Sequence, residues 1–337
     1  MTTTLESFQS LFNGSTKNKS YRTDSGKVHT IDWNVDGSRL ASGSLDKSVV
    51  IFAYDGKGSM VKDRTYREHG EEINQLAWHP SISHNVATAS GDRLVKIFDT
   101  RTDRSNTTIE TKGEKFKLFI LILYIDYILL GENINLAWSP DGTTLAVGNK
   151  DDLITFVDVK TSKIIREEQF RYEVNEISWD RTGNLFAVTT GHGSVVFFDA
   201  PGIQKEKDKP LEELHCLTAH TGNCICLEFD ATGKYFAVGA ADASASIWDV
   251  SQLVCLTVLT RIEWAVRGLS FGCQSQLIAL ASEDPYIEIA KVDTGERVHA
   301  LKCDVQTLAV AWHPKASVLA YVQDDDSGSV RLFGVLD

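Results

Sequence analysis

The strongest constraint on the fold is a short pattern that the chain repeats seven times. Each copy has an aromatic residue with an aliphatic residue two positions before it. Because side chains alternate between the two faces of a strand, this spacing places both residues on one face. The pattern therefore predicts seven equivalent strands. Their aromatic residues are Trp33, Trp78, Trp138, Trp179, Phe229, Phe271 and Trp312.

Two further strands are predicted after each copy. The second has an alanine at the same place every time, at positions 41, 87, 146, 187, 237, 279 and 320. Alanine is a poor strand former, so we expect this position to be too crowded for a larger side chain. In five copies an aspartate stands in the turn before the third strand, where it can accept hydrogen bonds from the turn backbone. These aspartates are Asp46, Asp92, Asp151, Asp242 and Asp284.

A repeat of about 40 to 45 residues with several strands and a Trp-Asp ending is the signature of the WD repeat. The literal dipeptide occurs at Trp248-Asp249. The sequence thus predicts an all-β fold, a single seven-bladed WD-repeat β-propeller over residues 17–337, after a flexible N-terminal segment, 1–16. Each blade needs four strands, but the chain ends soon after the third strand of the last copy. We therefore expect a strand near residues 17–23 to complete the last blade and close the ring.

Residues 115–132 interrupt the period. Without these 18 residues, the spacing of 60 between Trp78 and Trp138 becomes 42, within the range of 41 to 50 found for the other repeats. The apolar run 116–130 would be about 22 Å long as a helix, short of the roughly 30 Å of a bilayer core. A membrane span here would also keep the ring from closing. The segment is interpreted as an atypical apolar insertion between blades two and three. Its composition favours translated intron sequence or an isoform over a genuine loop, and the sequence leaves all three open.

Charge and motifs disfavour nucleic-acid binding and catalysis. The net charge is −12, with 46 acidic and 34 basic residues, whereas a phosphate-binding surface needs an excess of lysine and arginine. The chain has no P-loop, nucleophile elbow, HExxH helix or EF-hand loop. Its six cysteines form no CxxC pair. We expect no enzyme activity, no cofactor and no metal site.

Two histidines and one tryptophan fit the turn network of WD repeats. His69 and His220 precede the first strands of blades two and five, where such a histidine hydrogen-bonds the turn aspartate, here Asp92 or Asp242. Trp248 belongs to the same network in blade five. The set is incomplete, because blade two offers Ser90 but has phenylalanine in place of the tryptophan, and blade five has Ala240 where a serine is usual. A structural role is favoured over catalysis.

Three aromatic residues beside first strands are candidates for binding a partner. They are Phe170, Tyr172 and Trp264. Tryptophan and tyrosine are enriched among the residues that dominate protein interfaces. The alternative for each is packing between blades.

Several stretches are more particular than a general WD repeat, namely VGNKDD, EEQF with EVNEISW, and NCICLEFD. With these stretches the chain resembles the THO complex subunit 3 (Tex1-like) family, from about residue 27 to 335. Relatives run TKGE directly into NIN, so residues 115–132 depart from the family pattern.

The resemblance implies a non-enzymatic scaffold in the nucleus, within the THO/transcription-export assembly that couples transcription and processing of mRNA to export. Its partners would be other subunits of that assembly. RNA would be contacted only indirectly, and neither a membrane nor a small-molecule substrate is implied. The alternative is a WD-repeat adaptor of another complex, either a ubiquitin-ligase substrate receptor or a chromatin-tail reader.

Overall fold

The computed structural model describes residues 5–14, 16–23, 26–111, 132–205 and 209–335. Within them it contains seven antiparallel sheets of four strands each. The innermost strand of each sheet contacts the innermost strands of its two neighbours, so the sheets form a closed ring around a central axis. The predicted all-β, seven-bladed propeller is confirmed.

The chain begins with helix α1 (Leu5–Gly14) and strand β1 (Thr16–Arg22). Blade one contains β2 (Val28–Trp33), β3 (Arg39–Ser44), β4 (Val49–Tyr54) and β5 (Met60–Tyr66). Blade two contains β6 (Ile73–Trp78), β7 (Asn85–Ser90), β8 (Leu94–Asp99) and β9 (Ser105–Glu110). Blade three contains β10 (Asn133–Trp138), β11 (Thr144–Asn149), β12 (Leu153–Asp158) and β13 (Lys163–Gln169).

Blade four contains β14 (Val174–Trp179), β15 (Leu185–Thr190), β16 (Ser194–Asp199), then the short helix α2 (Ala200–Lys205) and β17 (Glu213–Thr218). Blade five contains β18 (Cys224–Phe229), β19 (Tyr235–Ala240), β20 (Ala245–Asp249) and β21 (Val254–Leu259). Blade six contains β22 (Val266–Phe271), a 3₁₀ turn (Cys273–Ser275), β23 (Leu277–Ser282), β24 (Tyr286–Lys291) and β25 (Arg297–Lys302). Blade seven contains β26 (Thr307–Trp312), β27 (Val318–Gln323), β28 (Ser329–Val335) and β1.

The repeated residues hold the blades against one another. The alanines at positions 41, 87, 146, 187, 237, 279 and 320 have no solvent exposure, as expected for a crowded position. In blades one, two and three the tryptophan at the end of the innermost strand hydrogen-bonds the preceding blade. The indole N–H of Trp33 donates to the carbonyl oxygen of Ala311, and that of Trp138 to the carbonyl oxygen of Ala77. The repeat therefore encodes both the blade and its contact with the neighbouring blade.

The N-terminal strand closes the ring. β1 pairs antiparallel with β28, from Thr16 opposite Val335 to Arg22 opposite Ser329. The amide of Thr23 also donates to the carbonyl oxygen of Gly328 at 2.8 Å. The predicted closure of the last blade is thus confirmed.

The structure corrects the expectation of a flexible segment at residues 5–14. They form α1, in which Leu5, Phe8 and Phe12 recur at the spacing of one helix face. Phe12 is only 2% exposed, and its ring stacks on Phe333 and His299 at centroid distances of 5.7 and 5.9 Å. The helix is ordered because this apolar face covers the core between blades six and seven.

The predicted insertion, residues 115–132, lies outside the described residues except for Glu132. The residues on either side of the gap are close together. The hydroxyl of Thr111 donates to Oδ1 of Asn133 at 2.8 Å, and the amide of Lys150 donates to the carbonyl oxygen of Glu132 at 2.9 Å. Blades two and three each have all four strands among the described residues, and the two sides of the gap lie close together.

Candidate functional site

His69 and Asp92 hold the turn of blade two. The Nδ1 atom of His69 lies 2.8 Å from Oδ2 of Asp92, and the amide of Gly70 donates to the same oxygen at 2.7 Å. An ionised carboxylate only accepts, so Nδ1 carries the proton and Nε2 accepts the hydroxyl of Thr88 at 2.7 Å. Burial alone raises the pKa of Asp92, but the bonds from His69 and Gly70 outweigh it and lower this pKa to about 2. The carboxylate is therefore ionised and fixed in a structural network.

Blade five has the same network with its tryptophan. Nδ1 of His220 lies 3.2 Å from both carboxylate oxygens of Asp242. Nε2 of His220 lies 2.7 Å from the hydroxyl of Ser246, and the indole N–H of Trp248 donates to that hydroxyl oxygen at 2.7 Å. Histidine, serine and tryptophan thus form one chain of hydrogen bonds from the turn into the blade core.

The hydroxyl groups in these networks come from residues that the sequence reasoning missed. In blade two the hydroxyl belongs to Thr88, whereas Ser90 donates to the carbonyl oxygen of Glu71. In blade five Ser246 supplies the hydroxyl, so the alanine at position 240 does not interrupt the hydrogen-bond network. The signal was the period of two along a strand: Ser246 stands two residues before Trp248 and shares its face.

The other turn aspartates differ among blades. Asp46 accepts the amide and hydroxyl of Ser48. Its burial opposes ionisation, but these bonds lower its pKa. In blade three the turn is held by Asn149 instead, because its Oδ1 accepts the amides of Asp151 and Leu153. Asp151 therefore contributes its backbone N–H, where the sequence predicted its carboxylate.

The structure separates the three candidate aromatics. Phe170 and Tyr172 are half-buried and pack against the core of blades three and four, with Phe170 5.6 Å from the ring of Phe198. Trp264 is 59% exposed, the second highest value among the exposed large apolar residues. Its amide donates to Asp284, which is 3% exposed and also accepts the amide of Glu263. Only Trp264 combines a fixed backbone with a free indole.

The innermost strands line a central channel with a volume of about 690 Å³. Three carboxylates that the sequence reasoning missed lie in its wall: Asp32 of blade one, Glu176 of blade four and Glu228 of blade five. Burial raises the pKa of Asp32 and Glu176 to about 7, and that of Glu228 to about 8. Asp32 and Glu228 directly precede the aromatic residue of their repeat, and Glu176 stands three residues before its own. An alignment of the seven repeats would have placed all three on innermost strands.

These three carboxylates also link the innermost strands of different blades. Oδ2 of Asp32 accepts the amide of Trp78, and Oε2 of Glu228 accepts the amide of Phe271. Glu176 accepts the side-chain amide of Gln75, which belongs to blade two. The channel wall is thus acidic and partly cross-linked by hydrogen bonds.

Two general searches of the described residues complete the picture. In the described ranges no group of three or more histidine, cysteine, aspartate or glutamate side chains is arranged to hold a metal ion. No helix in that part of the chain has the length and apolar character needed to cross a membrane.

The ring of blades and the His–Asp turn networks define a WD-repeat β-propeller. The family model described as "WD domain, G-beta repeat" matches residues 15–52, 61–99 and 211–249. The chain is 41% identical over 324 residues to THO complex subunit 3 of Arabidopsis thaliana, covering 94% of this chain and 95% of that protein. The chain therefore belongs to the THO complex subunit 3 family.

More distant relatives match most of this chain but only about two thirds of their own length. WD repeat-containing protein AAC3 of Dictyostelium discoideum is 26% identical, over 91% of this chain and 65% of that protein. Protein TEX1 of Saccharomyces cerevisiae is 20% identical, over 81% of this chain and 64% of that protein.

Proposed function

We propose that this chain is a non-enzymatic scaffold subunit of the THO complex. In that role it would couple transcription and processing of mRNA to nuclear export through protein–protein contacts, and it would reside in the nucleus. The observation that carries the proposal is the 41% identity to a THO complex subunit along nearly the whole of both chains. A similarity confined to a few blades would support only the fold.

The chemistry of the described residues supports a scaffold. The histidines and aspartates of the turn networks are engaged with backbone and hydroxyl groups, as described for His69 and His220. The net charge of −12 opposes direct contact with RNA, so we propose that other subunits hold it. The partners proposed are therefore subunits of the same assembly.

Trp264 is the residue we propose for partner contact. An exposed indole on a fixed backbone loses little conformational freedom on binding, and such residues contribute about 2 kcal/mol or more at interfaces. Phe170 and Tyr172 are less suited, because their rings already pack on the blades.

Affinity purification of the tagged full-length chain from nuclei, with crosslinking and mass spectrometry, tests the function. We expect other THO subunits to dominate the captured proteins. Capture dominated by a cullin with its adaptors, or by histones, would instead support one of the alternative adaptors. Trp264→Ala should reduce capture of THO subunits while the melting temperature is unchanged. Val61→Ala is the matched control, because Val61 is 70% exposed on outer strand β5.

A further inference from the structure

The outer strand of blade five is a sheet edge that lacks the usual protection. β21 (Val254–Leu259) ends its sheet, in which the strand order is β18-β19-β20-β21. An edge strand presents unpaired backbone N–H and C=O groups, and proteins commonly protect it with charged residues. Six of the seven described outer strands contain at least one charged residue, whereas β21, with the sequence VCLTVL, contains none. A bulge does not distinguish β21, because the outer strands of blades one to six each have one.

The same strand exposes three apolar side chains. Val254, Leu256 and Val258 are 46 to 49% exposed. No other described strand carries more than one large apolar residue with comparable exposure. Apolar residues scattered singly over a surface are normal, but a contiguous group marks a place where another molecule binds.

Two arginines share one carboxylate at the end of this strand. Arg261 follows β21 and donates from Nε to Glu288 at 2.6 Å, and Arg297 donates to the other oxygen of Glu288 at 2.9 Å. The side chain of Glu288 has no solvent exposure, whereas those of the two arginines are more than a third exposed. The cluster therefore has one positive charge in excess, and its guanidinium groups can donate to a further carboxylate.

This arginine pair lies directly beside β21. Nη2 of Arg261 donates to the carbonyl oxygen of Gly295 at 2.6 Å. A Cβ atom at Gly295 would lie 2.6 Å from the hydroxyl oxygen of Thr257 and 3.2 Å from Cδ2 of Leu259. The turn that contains Gly295 is thus packed on β21, and the guanidinium of Arg261 is within reach of a segment that lies along the strand.

These features together select one kind of occupant. An uncharged edge with exposed apolar residues fits an extended polypeptide, which offers both a backbone to pair with and apolar side chains. RNA brings negative charge but neither of these. A second copy of this chain would bring β21 itself, which contains no carboxylate for the arginines, and its net charge of −12 opposes self-association.

We propose that β21 binds an extended segment of a partner protein as a fifth strand of blade five. Apolar residues of the segment cover Val254, Leu256 and Val258, and an aspartate or glutamate at its end pairs with the two arginines. Trp264 stands five residues after Leu259, in the loop that leads to β22, so the same partner can contact both. The proposal names a site and a partner chemistry for the scaffold role, and it rests on that proposed function.

The probe is a fluorescent peptide of about eight residues, in which threonine alternates with valine or leucine and a glutamate stands at each end. It is titrated against the full chain by fluorescence anisotropy at ~150 mM salt. Val258→Lys should weaken binding by about tenfold or more, because a charged side chain on the edge opposes the added strand. Val61→Lys is the matched control, since it makes the same change at an exposed position of outer strand β5, and it should leave the affinity within about twofold.

The charge of the peptide tests the arginine pair. A peptide with lysine in place of both glutamates should bind about tenfold more weakly, because it repels the two guanidinium groups. The apolar residues are the same in both peptides, so this comparison isolates the charge.

Hydrogen exchange tests the added strand itself. Peptide binding should slow the exchange of amides within residues 254–259 by about fivefold or more, because backbone pairing protects N–H groups that are otherwise open to water. The amides of β5 should be unaffected. A contact made by side chains alone would not give this protection.

Five results would overturn the proposal. They are no binding below ~1 mM peptide, equal affinity for wild type and Val258→Lys, equal affinity for the lysine peptide, binding without protection of β21, and a wild-type dimer by light scattering that Val258→Lys converts to a monomer. The last would assign the edge to a second copy. If Val258→Lys does not fold, Val254→Lys replaces it. Failure here while wild type still captures THO subunits would reject only the β21 site, whereas wild type that captures none of them would reject the proposed function.

Discussion

Trp78 donates its amide N–H to Oδ2 of Asp32 at 3.0 Å and its indole N–H to the carbonyl oxygen of the same residue at 2.9 Å. This double contact joins the innermost strands of blades one and two. It also fixes a carboxylate in the wall of the channel, so one residue serves both the closed ring and the acidic interior. The cost of burying that carboxylate leads to the first prediction.

Stability should fall as the pH rises from 6 to 8. Folding raises the pKa of Asp32 and Glu176 to about 7 and that of Glu228 to about 8, so the folded state binds more protons than the unfolded state in this window. The free energy of unfolding then decreases with pH, by roughly 1 to 2 kcal/mol for each of the three carboxylates. Urea unfolding at several pH values measures it. The double variant Glu176→Gln/Glu228→Gln should show a flatter dependence of the free energy of unfolding on pH. Asp293→Asn, at an exposed position, is the control and should keep the wild-type dependence. Identical slopes in all three proteins would contradict the assignment of the pH dependence to these carboxylates.

The His69–Asp92 pair should stabilise blade two. His69 is 7% exposed and bonds on both ring nitrogens, so His69→Ala should lower the free energy of unfolding by about 2 kcal/mol. His215→Ala on outer strand β17 is the control, because His215 is exposed and a change there should stay within about 0.5 kcal/mol. Since the pKa of Asp92 is lowered to about 2, its contribution is present above about pH 4 and lost as the pH falls toward 2. Chemical denaturation of both variants measures the loss in the free energy of unfolding. An equal loss in His69→Ala and His215→Ala would contradict a specific stabilising role for His69.

Helix α1 should contribute to stability although it lies outside the blades. Phe12→Ala should cost about 3 kcal/mol, because its ring is buried against His299, Trp312 and Phe333. Exposed Glu6→Ala is the control and should be nearly neutral. Thermal melts of the two variants measure the difference.

Truncations separate the helix from the closing strand. Removal of residues 1–14 should lower the melting temperature but leave a folded ring. Removal of residues 1–23 also takes away β1, exposes the edge of β28 and should reduce solubility. A chain without β1 that melts like the intact protein would show that β1 does not close the ring in solution.

Deletion of residues 115–132 should leave the propeller intact. The hydrogen bond from Thr111 to Asn133 shows that the two ends of the gap already meet. The deletion also places Glu114 directly before Asn133, in the position of Glu132, so a glutamate is retained there. We expect an equal or higher melting temperature and more soluble protein, because an apolar run with little charge favours aggregation. Sequencing of the mature transcript distinguishes a retained intron or isoform from a genuine loop. A deletion variant that unfolds would show that the segment is a structural element.

The sequence by itself determined the blade count and the positions of the innermost strands, because these depend on local periods. The spacing of two between Ile31 and Trp33 marks an innermost strand, and its recurrence gives seven blades. The pairing of His220 with Asp242 was also predictable, since both occupy repeated positions within one blade. The N-terminal closing strand followed from counting strands.

Only the tertiary structure decided what depends on contacts between blades. Asp32, Glu176 and Glu228 are 52 to 196 residues apart, and nothing in their local sequence shows that they share one channel. Ser246 took the place of the expected serine because His220, in the loop before β18, reaches strand β20, 26 residues further along the chain. Phe12 looked like part of a free terminus, and its burial depends on a groove formed by residues near position 300 and beyond. In each case the deciding neighbour is distant in the chain, so the folded ring had to bring it into contact.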